Sequence, residues 1–196
     1  CGEEYSTIQS HSPWTWVIDP IDGTKSFATG NPTFGCLIAL LHHGTPCLGI
    51  IDMPALHERW LGIAGQASRF NGNTCKTSDK TDLAQATLYA TTIDMFSQAN
   101  LAAFESVSQL TQFRHFGADC YAYGLLASGY VDLVMEADMQ AHDYLALVPV
   151  VEGAGGCISD WQGHSLRLHS GGTVLASANH ILHEKALAII DATQIQ

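Results

Sequence analysis

The string DPIDGT at residues 19–24 contains residue types that bind a divalent cation. It follows a short apolar strand predicted at residues 16–18, which would carry Asp19 to the edge of a sheet. Pro20 lacks a backbone N–H and favours a turn, so Asp22 can face the same space as Asp19. Two carboxylates this close repel each other unless a proton or a cation lies between them, and carboxylate oxygens suit Mg²⁺. The pattern predicts a Mg²⁺ site; the structural alternative is an ordinary turn in which Asp22 caps a helix.

Gly23 and Thr24 come next and open a turn of helix predicted at residues 25–28. Backbone N–H groups at a helix start point toward a bound anion, which makes such an end a good phosphate site. The threonine hydroxyl can also orient a water molecule. Asp22, Gly23 and Thr24 are therefore candidate phosphate-binding residues.

Two further acidic positions favour the metal interpretation. Glu3 belongs to the acidic pair that follows Gly2, and Asp143 lies far downstream at the start of a predicted helix. For Glu3 the alternative is a solvated acidic end, and for Asp143 it is a helix cap. The predicted metal ligands are the side chains of Glu3, Asp19, Asp22 and Asp143.

The 196 residues carry a formal net charge of −11, with eight lysines and arginines in total. A field of that sign repels nucleic acid and any anionic substrate at long range, so we expect no nucleic-acid partner. If the substrate is a phosphate, a bound divalent cation must reverse the field locally. Hydrophobic residues make up 46% of the chain, which favours a folded core over disorder.

The six cysteines are scattered and include no C-x-x-C pair. This favours reduced, mostly buried thiols in a cytoplasmic protein over a structural zinc site. No apolar run reaches the roughly 18 residues of a membrane span, so we expect no membrane partner. The chain opens at Cys1 without a methionine or a signal-peptide pattern, and we expect native residues before it.

The pattern of predicted elements changes near residue 84. Before it, turns join apolar strands predicted at residues 34–41, 46–52, 59–64 and 68–71. After it, strands alternate with helices predicted at residues 97–110, 121–127, 144–153 and 181–191. The sequence predicts a layered α/β (α+β) protein, in which sheets and helices form separate layers. Residues 1–84 would form an N-terminal metal- and phosphate-binding subdomain, and residues 85–196 a C-terminal α/β subdomain.

Three motifs together resemble the inositol monophosphatase family of metal-dependent phosphatases: GEE at residues 2–4, WVIDPIDGTKSF at residues 16–27, and HDYLALVPVVEGAGG at residues 142–156. The resemblance implies the αβαβα sandwich of the sugar phosphatases, two to three Mg²⁺ ions per site, a small phosphate monoester as substrate, and a homodimer. The helical segment that this family carries before the GEE motif is absent from the sequence, so we expect the native protein to be longer.

The resemblance also implies a metal-binding role for each matching residue. Glu3 resembles the ligand shared between the first and third metals, and Asp19 resembles the carboxylate that bridges two metals. Ile21 would contribute its backbone carbonyl, while Asp22 and Asp143 resemble the ligands of the second metal.

Gly23 and Thr24 match the phosphate-binding helix start of the family, where Thr24 would help to position water. With the four acids, Thr24 completes the implied catalytic set, which is Glu3, Asp19, Asp22, Thr24 and Asp143. The implied reaction is in-line attack on phosphorus by a water that the metal activates, without a covalent enzyme intermediate.

The segment at residues 114–136, with ERW at residues 58–60 and SDWQG at residues 159–163, resembles the histidinol-phosphate phosphatase branch of the family. Asp119 stands where inositol-type members carry small neutral residues. Histidinol bears an ammonium and an imidazole group, with which carboxylates can pair. We therefore expect the leaving group to face these substrate-binding residues: Gly117, Asp119, Glu136 and Asp143.

Structural alternatives remain for two of these residues, since Asp119 could be a helix N-cap and Glu136 a solvated strand end. The sequence also departs from the branch at Ala118, where glycine is frequent, and at His142, where an aromatic residue often precedes the last metal ligand. We interpret His142 as part of the pocket wall or as a support for the metal ligands, and the other histidines as surface or turn residues.

Three functional hypotheses follow from the sequence. The first is a Mg²⁺-dependent histidinol-phosphate phosphatase, which converts L-histidinol phosphate and water to L-histidinol and phosphate in histidine biosynthesis. The second is an inositol-1-monophosphatase or a broader sugar phosphatase of the same family. The third, from another class, is a non-catalytic regulatory binding protein on this fold.

Overall fold

A computed structural model describes residues 12–194, and every structural statement refers to this part of the chain. The strands are Trp14–Asp22 (β1), Gly35–His42 (β2), Thr45–Met53 (β3), Glu58–Ile63 (β4), Arg69–Phe70 (β5), Asn73–Thr74 (β6), Thr87–Ala90 (β7), Phe113–Phe116 (β8), Leu133–Glu136 (β9), Cys157–Ser159 (β10) and Val174–Ser177 (β11). The α-helices are Thr24–Thr29 (α1), Gln98–Ser108 (α2), Tyr121–Ala127 (α3), Ala141–Tyr144 (α4), Leu147–Gly153 (α5) and His180–Gln194 (α6).

The strands form two sheets. The first sheet, β1 to β6, is an antiparallel meander in chain order. The second sheet has the order β10-β11-β9-β7-β8. In it β7 runs parallel to β8 and β9, whereas the β9–β11 and β11–β10 pairs are antiparallel.

The sheets and helices form layers, and two hydrophobic cores lie between these layers. The first core joins side chains of the first sheet, such as Trp60, to α3 and α5 and to Val134 of the second sheet. The second core lies on the other face of the second sheet, where α2 and α6 contribute residues such as Phe104 and Leu182. Residues 12–194 thus form β-α-β-α layers, which confirms the layered α/β class; the expected outermost helical layer is not among them.

The two sheets divide between β6 and β7, near the predicted subdomain boundary at residue 84. The first core nevertheless crosses that boundary, because Trp60 and Val134 belong to the same buried cluster. The assignment of residues 1–84 and 85–196 to separate subdomains therefore stays a prediction.

Two glycines let the helices between the sheets lie directly on the first sheet. Gly49 and Gly62 face each other across β3 and β4. A Cβ atom at Gly49 would lie 1.9 Å from the carbonyl oxygen of Ala146, and one at Gly62 would lie 2.3 Å from that of Pro149. This close approach fixes the position of α5 and of the short helix α4 that precedes it.

The single helix predicted at residues 144–153 is wrong, because the structure contains α4 and α5 with a break between them. Pro149 lies in the first turn of α5, where its missing N–H is tolerated. Farther into a continuous helix its ring would clash with the carbonyl of Leu145. The break therefore follows from the position of the proline.

His183 of α6 corrects the expectation that the other histidines are surface or turn residues. Its ring is buried between two strands, with Nε2 at 2.9 Å from Ser159 Oγ and Nδ1 at 3.0 Å from Ser177 Oγ. Burial, and secondarily the nearby His180, lower the pKa of His183 to about 4. The ring is therefore neutral near pH 7 and links α6 to the second sheet by hydrogen bonds.

Cysteines 36, 47, 75, 120 and 157, all within the described part of the chain, are free, as expected. The expectation that they are mostly buried is wrong, because only Cys120 is buried and the other four are half-buried. No helix between residues 12 and 194 combines the length and the apolar character needed to cross a bilayer.

We predict that Gly62→Ala lowers the free energy of unfolding by about 3 kcal/mol, because the added methyl group must push α5 away from β4. Gly171→Ala is the matched control, since a Cβ atom there meets nothing within 4 Å. Urea unfolding followed by circular dichroism measures both. Equal stability of the two variants would contradict the close packing of α5 on the sheet.

Candidate active site

The end of strand β1 positions Asp19. Pairing of β1 with β2 is regular up to Asp19 and Leu37 and then shifts register before Asp22 and Gly35. Asp19 is only 2% exposed, and its Oδ1 accepts a hydrogen bond of 3.0 Å from the N–H of Ile21. The turn expected at Pro20 is wrong, because β1 continues through Pro20 to Asp22. The Ile21 hydrogen bond within this strand holds the Asp19 carboxylate in one orientation.

Asp22 does not cap helix α1, because the N-cap residue is Gly23 and no side chain caps this end. Instead, Asp22 Oδ2 accepts a 2.7 Å hydrogen bond from the N–H of Cys120. Burial raises the pKa of Asp22 to about 7, the charges of Asp119 and Glu136 add to this rise, and the Cys120 hydrogen bond opposes it. The structural alternative of a capping aspartate is therefore wrong.

Asp143 is the third residue of α4 and forms a capping box with Gln140. Its Oδ2 accepts a 2.7 Å hydrogen bond from the N–H of Gln140, and its Oδ1 lies 3.3 Å from Nε2 of His142. The helix-cap interpretation of Asp143 is thus correct. It does not exclude a ligand role, because the cap engages one oxygen of the carboxylate.

The fold brings these distant acids together. Asp19, His142 and Asp143 each place one ligand atom within 4.8 Å of the others. Asp143 also lines a cavity of about 150 Å³, whose other acidic lining residues are Asp22, Asp119, Glu136 and Asp138. Asp19 of the first sheet and Glu136 of the second therefore contribute to one acidic cleft.

The donor set of this cleft fits a hard divalent cation. Five carboxylates line the cavity, and no lysine or arginine is among the described residues that line it. Negative charges gathered in a partly buried space raise one another's pKa values unless a cation compensates them. Carboxylate oxygens are the ligands that Mg²⁺ prefers.

Glu136 is buried rather than solvated, so the alternative of a solvated strand end is wrong. It is 2% exposed, and its Oε1 accepts a 2.9 Å hydrogen bond from the N–H of Thr91. Its Oε2 accepts a 2.8 Å hydrogen bond from the Tyr123 hydroxyl. Burial raises the pKa of Glu136, and these hydrogen bonds oppose the rise. Glu136 is thus held rigidly in the wall of the cleft.

Asp119 does not cap a helix, since Cys120 is the N-cap of α3 and no side-chain cap is present there. The hydroxyl of Ser26 donates a 3.1 Å hydrogen bond to Asp119 Oδ2, which joins this residue to helix α1. A Cβ atom at Gly23 would lie 3.1 Å from the same oxygen, and Gly23 has a φ of 80°. The start of α1 and Asp119 therefore fit together only because residue 23 is glycine.

The structure gives no direct evidence for the predicted roles of four other site residues, which are Thr24, Ile21, Gly117 and Glu3. Thr24 is exposed, and its hydroxyl donates a 3.4 Å hydrogen bond to the carbonyl oxygen of Ile21. Gly117 is exposed and lies outside the residues that line the acidic cavity. Glu3 lies outside the described residues. The roles of these residues stay predictions.

The sequence interpretation missed the residues that hold the acids in place. Ser26, Thr91 and Tyr123 bind Asp119 and Glu136 through contacts between distant parts of the chain, and no local pattern announces them. Asp138 was also missed, although it follows Glu136 closely and lines the same cavity. His142, in contrast, was interpreted from its position next to Asp143 as part of the pocket wall or as a support for the metal ligands.

A layered α/β fold with converging carboxylates defines a candidate cation-dependent enzyme. The inositol monophosphatase family profile matches residues 1–194. The chain belongs to the inositol monophosphatase family, as its three motifs predicted.

Individual relatives agree with this assignment. The chain is 44% identical to the bifunctional phosphatase IMPL2, chloroplastic, of Arabidopsis thaliana, over 97% of this chain and 58% of that protein. It is 34% identical to a histidinol-phosphatase of Chlorobaculum parvum, over 96% of this chain and 73% of that protein. The structure of an inositol monophosphatase from Zymomonas mobilis superposes with a TM-score of 0.91 at 40% identity, covering 93% of this chain and 72% of that one. The chain thus spans somewhat more than half of the Arabidopsis protein.

We predict that Tyr123→Phe lowers the free energy of unfolding by about 1–3 kcal/mol, because the buried Glu136 loses a hydrogen-bond donor. Tyr130→Phe is the matched control, since Tyr130 is 73% exposed. Urea unfolding of both variants measures the difference. If Tyr123→Phe is as stable as Tyr130→Phe, Glu136 does not depend on the Tyr123 hydroxyl.

Proposed function

We propose that this chain carries the active site of a Mg²⁺-dependent phosphate-monoester hydrolase that acts on L-histidinol phosphate. The observation that carries the proposal is the approach of Asp19 and Asp143, which are far apart in the sequence, to within 4.8 Å at the ligand atoms. The cavity lined by Asp22, Asp119 and Glu136 adjoins this pair through Asp143. The name of the Arabidopsis relative, a bifunctional phosphatase, supports the reaction class, and that of the Chlorobaculum relative, a histidinol-phosphatase, supports the substrate.

The proposed metal ligands are Asp19, Asp22 and Asp143, with Glu3 and the carbonyl of Ile21 added by family resemblance. Bound Mg²⁺ would neutralise phosphoryl charge and lower the pKa of a water molecule.

Backbone N–H groups orient the carboxylates of the three described aspartates. Ile21 donates to Asp19, Cys120 to Asp22, and Gln140 to Asp143. Three carboxylates that are already oriented lose little conformational freedom when they bind a cation.

The start of helix α1 would contact the phosphoryl group through Gly23 and Thr24. In the proposed reaction, a water oxygen forms a bond to phosphorus, and the bond from phosphorus to the ester oxygen breaks. That oxygen leaves with a proton as the hydroxyl of L-histidinol, and inorganic phosphate is the second product. The proposed role of Thr24 is to orient the water by its hydroxyl.

The acidic wall supports a cationic leaving group. Histidinol carries an ammonium group and an imidazole with a reference pKa of about 6.5. Asp119, held by Ser26, and Glu136, held by Tyr123, would contact these groups as fixed acceptors. The proposed contact of Gly117 rests on family resemblance alone.

A second candidate substrate is inositol 1-phosphate or another sugar phosphate. The observation that favours it is the 40% identity to the Zymomonas structure, whose name is inositol monophosphatase. Inositol is a neutral polyol, so it would use the acidic wall only as a set of hydrogen-bond acceptors.

Family resemblance also leads us to propose a homodimer, and scattered thiols lead us to propose a cytoplasmic location. The charge of −11 supports the expectation that nucleic acid is not a partner. We likewise propose that residues 1–84 and residues 85–196 form two subdomains.

Phosphate release by the purified native protein in Mg²⁺ tests the proposed function. We expect kcat/KM for L-histidinol phosphate to exceed that for inositol 1-phosphate at least about tenfold, because only the former pairs cationic groups with the wall. Asp19→Asn should lower kcat/KM by at least about a hundredfold, because it removes a charged metal ligand.

Asp79→Asn is the matched control for this experiment, since Asp79 is exposed and pairs with Lys76 on the surface. A preference for inositol 1-phosphate would contradict the substrate while supporting the reaction class. Failure to release phosphate from either ester would contradict the hydrolase and favour a regulatory binding role.

A further inference from the structure

The imidazole of His142 lies beside the carboxylates that we propose to bind the metal. His142 precedes Asp143 in helix α4, and its Nε2 atom is 3.3 Å from Asp143 Oδ1. His142 also belongs to a three-residue group with Asp19 and Asp143, in which one ligand atom of each residue lies within 4.8 Å of the others. The side chain of His142 is 19% exposed, so most of the ring is removed from solvent.

The spacing of these atoms agrees with two ligands of one ion. When Zn²⁺ binds nitrogen and oxygen at about 2.0–2.1 Å in tetrahedral geometry, neighbouring ligand atoms lie about 3.3 Å apart. In an octahedral site with bonds of about 2.1 Å, the corresponding separation is about 3.0 Å. The observed separation of 3.3 Å between His142 and Asp143 is therefore suited to a shared cation.

We propose that His142 binds a divalent cation through Nε2, together with Asp19 and Asp143, and so gives this site a higher affinity for borderline cations such as Zn²⁺. The inference rests on the proposed function in one respect, because it uses the same metal site. Imidazole nitrogen suits Zn²⁺ well, whereas Mg²⁺ prefers oxygen. The metal preference of this chain should therefore depend on the residue at position 142.

A simple histidine–aspartate ion pair is the competing interpretation, and the chain offers an example for comparison. His164 Nδ1 lies 3.2 Å from Asp160 Oδ2, but the His164 side chain is 76% exposed. Among the described residues, no third histidine, cysteine or acid joins this pair in a group that could hold a metal. The two pairs are thus similar in distance and differ in the third ligand.

The test compares metal binding by the wild-type protein, His142→Gln and the matched control His164→Gln. Isothermal titration with Zn²⁺ and with Mg²⁺ gives the affinities, and the site of interest is the binding component that Asp19→Asn removes. We expect His142→Gln to weaken Zn²⁺ binding at this site by about tenfold or more. We expect Mg²⁺ affinity to change by less than about threefold, since Mg²⁺ binds nitrogen poorly.

Pulsed electron paramagnetic resonance of bound Mn²⁺ reports the ligand directly. Coupling of Mn²⁺ to an imidazole ¹⁴N nucleus should be present in the wild-type protein and in His164→Gln, and absent in His142→Gln. If ¹⁴N coupling is absent from the wild-type protein, or if His142→Gln leaves the ratio of Zn²⁺ to Mg²⁺ affinity unchanged, His142 is not a metal ligand.

Failure of this inference can be distinguished from failure of the proposed function. If Asp19→Asn and Asp143→Asn abolish cation binding while His142→Gln preserves the affinity ratio, only the role of His142 is overturned. If Asp19→Asn and Asp143→Asn leave all cation binding intact, the metal-dependent hydrolase itself is contradicted.

Discussion

Mutual repulsion among carboxylates gathered in a partly buried cleft is the constraint on which the rest of the site depends. Five acids line one small cavity, and Asp19 lies beside one of them, Asp143. The raised pKa of Asp22, which burial causes first and neighbouring charges increase, expresses the cost of gathering them without a cation. A divalent cation would remove that cost, which supports the proposal that the cleft binds a cation.

The fold overcomes this repulsion by attaching the acids to several rigid elements. The register shift of β1 turns Asp19 and Asp22 toward the helices, and the Gly49–Gly62 pair lets the α4–α5 unit approach the first sheet. Glu136 comes from the second sheet through strand β9. Because elements of both sheets meet at the cleft, the packing between the layers sets the geometry of the site.

The sequence predicted the parts of the site that are local or carried by a motif. The short helix after Asp22, the helix cap at Asp143 and the layered α/β class follow from short patterns that the structure reproduces. The turn expected at Pro20 is replaced by a register shift within strand β1. The helix-cap alternative for Asp119 is wrong, and the sequence could not show this because its partner Ser26 is far away in the chain.

The helix break before Pro149 was missed for a different reason. The apolar periodicity of residues 144–153 outweighed the proline in the sequence interpretation, although the proline alone predicts a break. His183 was misjudged because a histidine whose ring nitrogens both meet serine hydroxyls cannot be distinguished in sequence from a surface histidine.

Anomalous diffraction from crystals grown with Mn²⁺ tests the central claim most directly, because it locates the cation without reference to activity. The account predicts an anomalous peak in contact with carboxylate oxygens of both Asp19 and Asp143, at bond lengths of about 2.0–2.3 Å. Bound Mn²⁺ found only elsewhere on the protein, with the Asp19 and Asp143 carboxylates unliganded, would contradict it.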